Sequence, residues 1–336
     1  SLEGYKNHKR RYRMKLVLGT MTFGESVFAP NVDEFVEMFL DAGYEELDTA
    51  YVYNEGNCEK LLGEVLPKLR SPYKISTKVN PRITGKLDGE AAYIQLNESL
   101  KRLGVPVVDI FYLHFPDPAT PVENVLEACN NLYREGKFRE LGLSNFPAWM
   151  VVDVWHICHK NGWVLPTVFE GIYNPLTRKA ETELNECLNH FGIRFYAYNP
   201  MAGGLLTGRY GRYEDAPMDG RFTHRPNYQK RYWKKSYFDA VEIIKLACEE
   251  EGITTIEATY RWLAYHSMLN VERGDAIIIG ASKADHLKQN METVKAGPLS
   301  DAVVDAFEKA WQHCKADCPE YFTLYKGKGS VGGEKK

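Results

Sequence analysis

The chain has 336 residues, of which 44% are hydrophobic and 26% are charged, and these proportions are ordinary for a globular protein. Its formal net charge of −3 argues against nucleic acid as the main partner, because phosphate binding needs a clustered excess of positive charge. No apolar run approaches the roughly 20 residues that a membrane-spanning helix needs, so we expect no membrane association.

Eight short runs rich in β-branched or aromatic residues alternate with helical patterns along the chain. Several of them, such as VVDIFYL and AIIIG, are almost continuously hydrophobic, which is typical of parallel strands covered on both faces. The runs cover residues 16–19, 45–48, 73–79, 107–114, 138–144, 167–172, 193–198 and 276–280.

The segments between these runs carry helix signals. Asn31 and Glu34 have the spacing of an N-cap and its N3 partner, and Gly43 follows as a stop. Thr120 and Pro121 open another helix, with the proline at the first helical position. Further helical patterns cover residues 181–191, 234–251, 254–266 and 301–316.

This alternation predicts one (β/α)8 TIM barrel that spans residues 14–325. A doubly wound open sheet is the alternative, and it is disfavoured because the first strand ends in LGTMTFG without a GxGxxG motif. Residues 209–232 are long, polar and without clear periodicity, so we expect a functional loop over the barrel mouth.

The two ends of the chain differ in composition from the barrel. Residues 1–13 form a basic arm, and residues 326–336 (KGKGSVGGEKK) are typical of a disordered tail. No secretory signal is visible, and the first residue, Ser1, leaves a trimmed targeting segment open.

The seven cysteines are scattered and include no CxxC pair, which favours reduced thiols in a cytoplasmic protein. Cys314 and Cys318 lie one helical turn apart, and we interpret them as core thiols that could also meet. His156, Cys158 and His159 form an HxCH cluster on a predicted helix. No second ligand cluster accompanies it, so we expect no metal site.

In a TIM barrel the active site lies at the carboxyl ends of the strands, so polar residues there are the catalytic candidates. The second run ends in Asp48, and Tyr53 follows in the next loop. Lys78 lies near the end of the third run, and the fourth ends in His114. Singly, each has an ordinary structural role as a cap, a surface charge or a core histidine. Together they predict side chains that converge around one carbonyl-sized space.

These four residue types suit the reduction of a carbonyl group. A tyrosine hydroxyl with a pKa near 10 is a poor acid at neutral pH, and a neighbouring ammonium group would lower that pKa. Asp48 would keep Lys78 charged and oriented, while His114 would donate a hydrogen bond to the carbonyl oxygen. Tyr53 would then protonate this oxygen as a hydride reaches the carbon. The hydride must come from a cofactor, because no side chain supplies one.

The chain resembles the aldo-keto reductase superfamily in the order and spacing of several motifs. They are LDTAYVY at 47–53, STK at 76–78, DIFYLH at 109–114, LGLSNF at 141–146 and AYNP at 197–200. The similarity extends from about residue 16 to residue 322. Supporting stretches make it most similar to the aflatoxin-aldehyde reductase group, and they are LGTM, ATPVE at 119–123, NPMAGGLLTGRY at 199–210, RYWK at 231–234 and CPEYF at 318–322.

The resemblance implies NADPH-dependent reduction of aldehydes or ketones, with Tyr53 as general acid. Ser144 and Asn145 would bind the nicotinamide carboxamide, and Tyr198 would stack on the ring. Ser282 would open a helix whose N-terminus suits the adenosine phosphate. The full implied cofactor set is Thr20, Met21, Ser144, Asn145, Glu170, Tyr198, Asn199, Pro200, Met201, Ala202, Gly203, Leu205, Arg209, Arg221, Gly280, Ser282, His286, Gln289 and Asn290.

Loops rich in aromatic residues surround the predicted mouth, which favours an aromatic or bulky substrate without naming one. The candidate substrate residues are Phe23, Phe115, Arg231 and Trp233.

Two positions depart from the family pattern. Glu170 stands where the family usually has Gln, and an ionised Glu accepts hydrogen bonds but cannot donate them. We therefore expect Glu170→Gln to tighten NADPH binding. Thr323 stands where relatives place Arg, which weakens the case for carboxylate-bearing substrates such as succinic semialdehyde, although Arg231 could supply a positive charge.

Two other function classes remain as alternatives. A cofactor-bound regulatory protein, like the potassium-channel β-subunits, would share the same cofactor motifs. A metal-dependent barrel hydrolase would need several His and carboxylate ligands at strand ends, and only His114 fits that pattern. The resemblance also allows a homodimer, although no interface follows from the sequence pattern.

Overall fold

Alternation of short hydrophobic runs with amphipathic segments produces a closed barrel of eight parallel strands. The computed structural model describes residues 13–27, 31–215, 217 and 221–327. The strands are β1 Lys15–Gly19, β2 Glu46–Asp48, β3 Lys74–Val79, β4 Val108–Leu113, β5 Phe138–Ser144, β6 Pro166–Ile172, β7 Arg194–Tyr198 and β8 Ala276–Ile279. Because β1 pairs with both β2 and β8, the sheet has no free edge. The predicted TIM barrel is confirmed, and the open-sheet alternative is wrong.

The near-continuous hydrophobicity of the strands reflects two apolar layers. Val17 faces the barrel interior, while Leu16 and Leu18 on either side of it pack against the surrounding helices. The interior core contains Val17, Ile110, Tyr112, Val168, Tyr196, Ala276 and Ile278. The strands are therefore buried on both faces, as parallel barrel strands require.

Helices cover the outside of the barrel. Their bounds are α1 Asn31–Asp41, α2 Asn57–Val65, α3 Pro81–Thr84, α4 Gly89–Leu103, α5 Val122–Arg134, α6 Ala148–Asn161, α7 Glu183–Phe191, α8 Arg221–His224, α9 Pro226–Tyr232, α10 Lys235–Glu250, α11 Thr255–Tyr265, α12 Ala284–Thr293 and α13 Asp301–Cys314. Two predicted starts shift by one residue. Asn31 is already helical, and Pro121 is the N-cap of α5 because its ψ of 122° lies outside the helical region.

The segment 209–232 is only partly the irregular loop that its polar sequence predicts. Pro226 occupies the first turn of α9, where its fixed φ favours helix formation. Tyr228 and Tyr232 lie one turn apart on this helix, and both are buried. The prediction of an irregular segment is therefore wrong for residues 221–232. Residues 216 and 218–220 lie outside the described residues, as do 1–12 of the predicted arm and 328–336 of the predicted tail.

The cysteines are free thiols, and all except Cys187 are buried. In the HxCH cluster Cys158 is buried, whereas His156 and His159 are exposed, so the three side chains do not converge. Within the described ranges, no group of three His, Cys, Asp or Glu side chains is arranged to hold a metal ion. No helix in those ranges is long and apolar enough to cross a membrane.

Candidate active site

A cavity of about 490 Å³ opens at the carboxyl ends of the barrel strands. It lies where the fold places active sites, and most of the sequence-predicted residues line it. These residues are Thr20, Met21, Asp48, Tyr53, His114, Phe115, Ser144, Asn145, Glu170, Tyr198, Asn199, Pro200, Met201, Gly203, Arg221, Arg231 and Gly280.

The other predicted residues lie off this wall. Lys78 is buried directly behind it, against Asp48. Phe23 packs edge-on against Phe35, and the Trp233 ring packs against Tyr210. The remaining ones are Ala202, Leu205, Arg209, Ser282, His286, Gln289 and Asn290, of which the last four lie just before or within α12.

The buried pair of Lys78 and Asp48 forms the base of the cavity. Lys78 Nζ lies 2.6 Å from Asp48 Oδ1 and donates a second hydrogen bond to the Thr49 carbonyl oxygen at 2.8 Å. Asp48 Oδ1 also accepts a hydrogen bond from Ser76 Oγ at 2.7 Å. The Lys78 side chain is 0% exposed, so its charge acts in a medium that screens poorly. This pair fixes a positive charge at one position beneath the cavity.

Tyr53 stands above that ammonium group. Lys78 Nζ lies 5.1 Å from the centroid of the Tyr53 ring. Burial nevertheless raises the pKa of Tyr53 well above its usual value near 10, and the carboxyl groups of Asp48 and Glu170 raise it further. This direction is opposite to the one expected from the ammonium alone, because burial disfavours the phenolate and two carboxyl groups add to that effect. Tyr53 therefore keeps its proton at neutral pH.

His114 is held in one tautomer by Asn80. Asn80 Oδ1 accepts a hydrogen bond from the Arg82 backbone N–H at 3.0 Å, which turns the Asn80 amide nitrogen toward His114 Nδ1 at 3.2 Å. Nδ1 must therefore accept, and the proton of the neutral ring resides on Nε2. Burial and the nearby Lys78 and Arg82 hold the pKa of His114 well below its usual value of 6.5. His114 is thus a neutral hydrogen-bond donor through Nε2.

Glu170 brings a second carboxyl group to Lys78. Its Oε2 atom lies 3.4 Å from Lys78 Nζ, and the residue is only 3% exposed. Burial raises the pKa of Glu170 well above its usual range, and Asp48 adds to this effect more than Lys78 opposes it. Among the described residues, Oε2 has no hydrogen-bond partner. It is a buried polar atom of a residue that lines the cavity.

Polar side chains at the ends of β5 and β7 form a connected network. Ser144 Oγ donates to the Glu170 carbonyl oxygen at 2.9 Å, and Asn145 Nδ2 donates to the His114 carbonyl oxygen at 3.0 Å. The Tyr198 hydroxyl donates to Asn145 Oδ1 at 2.6 Å. These bonds lock the cavity wall beside the catalytic candidates.

Backbone strain concentrates at the same strand ends. Asn145, Asn199 and Ala202 have φ angles of 61°, 55° and 49°, a left-handed conformation that non-glycine residues rarely adopt. Such strain costs free energy and persists where the surrounding structure fixes it, which is common at functional sites. The loops after β5 and β7 therefore carry strained backbone beside the cavity, which makes them candidates for ligand contact.

The composition of the wall fits a nicotinamide dinucleotide. Arg221, Arg225 and Arg231 line the cavity and offer guanidinium groups to phosphates. Gly203 turns with φ 70° where a Cβ atom would lie 2.7 Å from the Tyr228 ring, so bare backbone faces this part of the wall. Glu170 Oε2, which is buried without a hydrogen bond among the described residues, and its neighbours Ser144 and Asn145 suit a carboxamide group.

The sequence prediction missed several residues that line the cavity. Asn80 directly follows β3, so the strand-end rule that found His114 could also have found it. Arg82 and Tyr228 lie on short helices in connecting segments and Arg225 lies between two of them, where no periodic signal marks these residues. Their contribution depends on how those segments fold over the mouth.

A parallel barrel with a buried ionisable cluster at the carboxyl ends of its strands defines a TIM-barrel enzyme. Residues 15–312 match the model of the aldo/keto reductase family, so the chain belongs to this family and is an oxidoreductase. The predicted family is thereby confirmed.

Its relatives point to one branch of the family. The chain is 46% identical over 326 residues to aldo-keto reductase family 7 member A3 of Homo sapiens, covering 93% of this chain and 98% of that protein. It is also 46% identical over 324 residues to aflatoxin B1 aldehyde reductase member 2 of Homo sapiens, covering 92% and 90%. A more distant relative, aldo-keto reductase pigE of Monascus ruber, is 32% identical over 309 residues, covering 87% and 90%. The similarity to the aflatoxin-aldehyde reductase group is confirmed.

Proposed function

We propose that this protein reduces aldehydes or ketones to alcohols with NADPH and that Tyr53 is its general acid. The observation that carries the proposal is the meeting of Tyr53, His114 and the Asp48–Lys78 pair at one end of the cavity. The rings of Tyr53 and His114 lie edge to face with their centroids 6.0 Å apart. One carbonyl oxygen can therefore contact both side chains, as acid catalysis requires.

Bound NADPH would supply the hydride to the carbonyl carbon. His114 donates from Nε2 to the carbonyl oxygen and stays neutral while it positions the substrate. As this oxygen gains negative charge it becomes basic enough to take the proton of Tyr53. Lys78, at 5.1 Å from the ring centroid, then stabilises the phenolate that remains. Asp48 keeps this ammonium in place through the 2.6 Å contact.

We assign the nicotinamide end and one phosphate group of the cofactor to residues that line the cavity. Ser144, Asn145 and Glu170 would bind the carboxamide, and Tyr198 would stack on the nicotinamide ring. Arg221 would bind a phosphate group. The preference for NADPH over NADH depends on Ser282, His286, Gln289 and Asn290, which the family resemblance assigns to the adenosine phosphate near the start of α12.

The substrate is proposed as a class only. Phe115 and Arg231 line the cavity, and the Arg82 guanidinium lies 5.0 Å above the Phe115 ring. Thr323 instead donates its backbone N–H to the Asn145 carbonyl oxygen at 3.0 Å, so it supports the end of β5. Bulky aldehydes with an aromatic or acidic group suit this mouth. A cytoplasmic location and a homodimer stay predictions.

The test is Tyr53→Phe, which removes only the hydroxyl group. We expect NADPH consumption across a carbonyl panel to fall by about 10²–10⁴-fold, the range typical of general acid catalysis. The panel includes 2-carboxybenzaldehyde, 4-nitrobenzaldehyde and polycyclic ketones. NADPH affinity, measured by fluorescence titration, should be nearly unchanged.

Tyr260 offers a matched control, because it lines the same cavity on a different element. Tyr260→Phe is expected to retain turnover, whereas retained turnover in Tyr53→Phe would place the acid elsewhere. Single-turnover oxidation of bound NADPH by a small aldehyde separates an enzyme from a slow redox sensor on the same fold.

A further inference from the structure

Glu170 is a buried carboxyl group of the active-site cavity, and its Oε2 atom is unsatisfied. It lies on β6, between Ser144 of β5 and Tyr196 of β7 in the sheet register. Asp48 accepts hydrogen bonds from Lys78 Nζ and Ser76 Oγ, at 2.6 Å and 2.7 Å. Glu170 Oε2 lies 3.4 Å from Lys78 Nζ and has no hydrogen bond within the described part of the chain. Asp48 thus accepts two hydrogen bonds from these side chains, whereas Glu170 Oε2 accepts none within the described residues.

The charges around Glu170 do not balance if both carboxyl groups are ionised. The titratable groups that face Glu170 are Asp48 on β2, Tyr53 after β2, Lys78 on β3, Tyr112 on β4 and Tyr198 on β7. Burial raises the pKa of each of these tyrosines, so they are neutral at physiological pH.

Lys78 is therefore the only cation in this set, and it faces two carboxyl groups. Burying an excess negative charge is costly, and a buried carboxyl group avoids this cost by taking a proton. The proton belongs on the carboxyl group with fewer hydrogen bonds to its ionised form, which is Glu170. Asp48 remains the ionised partner of Lys78.

We propose that Glu170 is a protonated carboxylic acid in the cofactor-free protein and binds the nicotinamide carboxamide as a hydrogen-bond donor. This inference rests on the proposed function, since it names how one residue of that site meets the cofactor. A carboxylic acid has one O–H donor and retains acceptor capacity, so it can both donate and accept as the amide of Gln does. A protonated Glu170 thus offers the carboxamide both a donor and an acceptor, as the Gln that is usual in the family does. It differs from Gln because its donor is lost when the carboxyl group ionises.

Cofactor affinity should therefore depend on pH at this position. Only the protonated form is competent to donate, so the apparent Kd for NADPH rises once the pH exceeds the pKa of Glu170. If the ionised form does not bind, the limiting increase is about tenfold per pH unit. Glu170→Gln fixes a donor at every pH, so its advantage over the wild-type protein is confined to alkaline pH.

The first experiment is a fluorescence titration of NADPH between about pH 6 and pH 10. Wild type and Glu170→Gln should bind equally well in the acidic part of this range and diverge above it. Glu170→Leu, which lacks both donor and acceptor, should bind NADPH more weakly than Glu170→Gln at all pH values. The phosphates of NADPH titrate equally in every variant, so the difference between the curves isolates residue 170.

The second experiment measures protons directly. Calorimetry of NADPH binding in two buffers of different ionisation enthalpy measures the protons taken up. Uptake should approach about one proton per cofactor above the pKa of Glu170 in wild type and should be absent in Glu170→Gln. Asp48→Asn removes a negative charge that raises this pKa, so the onset of uptake should move to lower pH.

Parallel pH curves for wild type and Glu170→Gln, with no excess proton uptake, would overturn the inference. Tighter binding by Glu170→Gln at the same factor throughout the range would also overturn it, because Glu170 would then be ionised in the resting site. Failure of wild type to bind NADPH at any pH would instead overturn the proposed function, and the inference with it.

Discussion

Lys78 lies between two carboxyl groups, at 2.6 Å from Asp48 Oδ1 and 3.4 Å from Glu170 Oε2. Lys78→Met keeps most of the side-chain volume but leaves these buried acids without their cation. Because an uncompensated buried charge is strongly unfavourable, we expect a loss of about 3–5 kcal/mol in the free energy of unfolding. Urea denaturation measures this loss.

A double variant separates charge from packing. Lys78→Met with Asp48→Asn removes both members of the pair, so it should be more stable than Lys78→Met alone. The pair would be shown to be uncoupled if the double variant lost as much free energy of unfolding as Lys78→Met and Asp48→Asn lose separately when added together.

His114 makes stability depend on pH in a defined direction. Its pKa is depressed in the folded protein by burial, Lys78 and Arg82, while in the unfolded chain it lies near 6.5. As the pH falls below that value, the unfolded chain binds a proton that the folded protein does not, so stability is lost. His114→Gln should reduce the loss between pH 7 and pH 5 by up to about 2 kcal/mol.

The measurement is chemical denaturation of both proteins at each pH. His190 is exposed and supplies the control, since His190→Gln should keep the wild-type dependence. Identical pH dependence in His114→Gln would mean that the imidazole titrates in the folded state.

Residue types at strand ends were predictable, whereas their ionisation was not. Counting the last residue of each strand placed Asp48, Lys78 and His114 at one rim, because parallel strands end at the same face. The raised pKa of Tyr53 was not predictable, since it depends mainly on how deeply the folded barrel buries this side chain and then on the proximity of Asp48 and Glu170. The spacing of residues along the sequence does not give the distance in space between side chains on β2 and β6.

The turn after Tyr53 carries backbone strain next to the proposed general acid. Asn54, Glu55 and Gly56 have successive φ angles of 47°, 54° and 86°. Three consecutive left-handed residues are costly, so neighbouring structure must hold them. A Cβ atom at Gly56 would lie only 2.7 Å from Arg102 Nη1, so this guanidinium packs directly against the backbone of the turn.

Arg102 connects that turn to the barrel. Its guanidinium carbon lies 4.1 Å from the centroid of the Tyr51 ring, and Nη1 donates to Glu59 Oε2 at 3.1 Å. Glu59 is fully buried and also accepts from Thr77 Oγ1 at 2.6 Å, next to Lys78 in β3. We therefore expect Arg102 to be a positioning residue for Tyr53.

The test combines Arg102→Met with Glu59→Gln, so that no buried carboxylate is left unpaired. Stability should stay near that of wild type, while kcat should fall on the order of tenfold or more because Tyr53 is held less firmly. NADPH affinity should not change, which distinguishes lost positioning from lost binding. Unchanged kcat in a folded double variant would show that the turn supports itself.

Regular elements were predicted far better than the connections. The strands match their hydrophobic runs to within about a residue at most ends, because burial on both faces leaves a continuous apolar signal. The helix α9 was missed because its buried residues, Tyr228 and Tyr232, are surrounded by polar and charged neighbours. Its apolar face is set by the cavity that it covers, and that cavity exists only in the folded barrel.

At the scale of the whole molecule, the two ends of the barrel differ in how their charged side chains are arranged. At the amino ends of the strands, a second cavity holds charges in ion pairs, such as Arg194 Nη1 with Glu140 Oε1 at 2.9 Å. At the opposite end, Arg221 and Arg231 both lie 5.8 Å from the centroid of Tyr228 on the cavity wall. This separation agrees with the division of TIM barrels into a stabilising face and a functional face.

One ion pair joins segments that are 200 residues apart in sequence across the mouth of the barrel. Glu25, after β1, contacts Arg225 between α8 and α9, and both residues line the cavity. An ion pair at this level of exposure contributes only about 0–1 kcal/mol to stability, so Glu25→Gln should hardly change the free energy of unfolding. We expect its effect to fall instead on the two segments that it connects across the mouth, where the cofactor is proposed to bind.

We expect Glu25→Gln to accelerate NADPH release by a factor of about two to five, which corresponds to the loss of up to about 1 kcal/mol from the closed state. Stopped-flow displacement of NADPH measures this rate. Exchanging the charges, with Glu25→Arg and Arg225→Glu together, should restore slow release, whereas each single reversal should release faster than Glu25→Gln. Equal release rates in wild type and Glu25→Gln would show that the mouth is held by other contacts, and a swapped variant that stays fast would show that orientation matters more than charge.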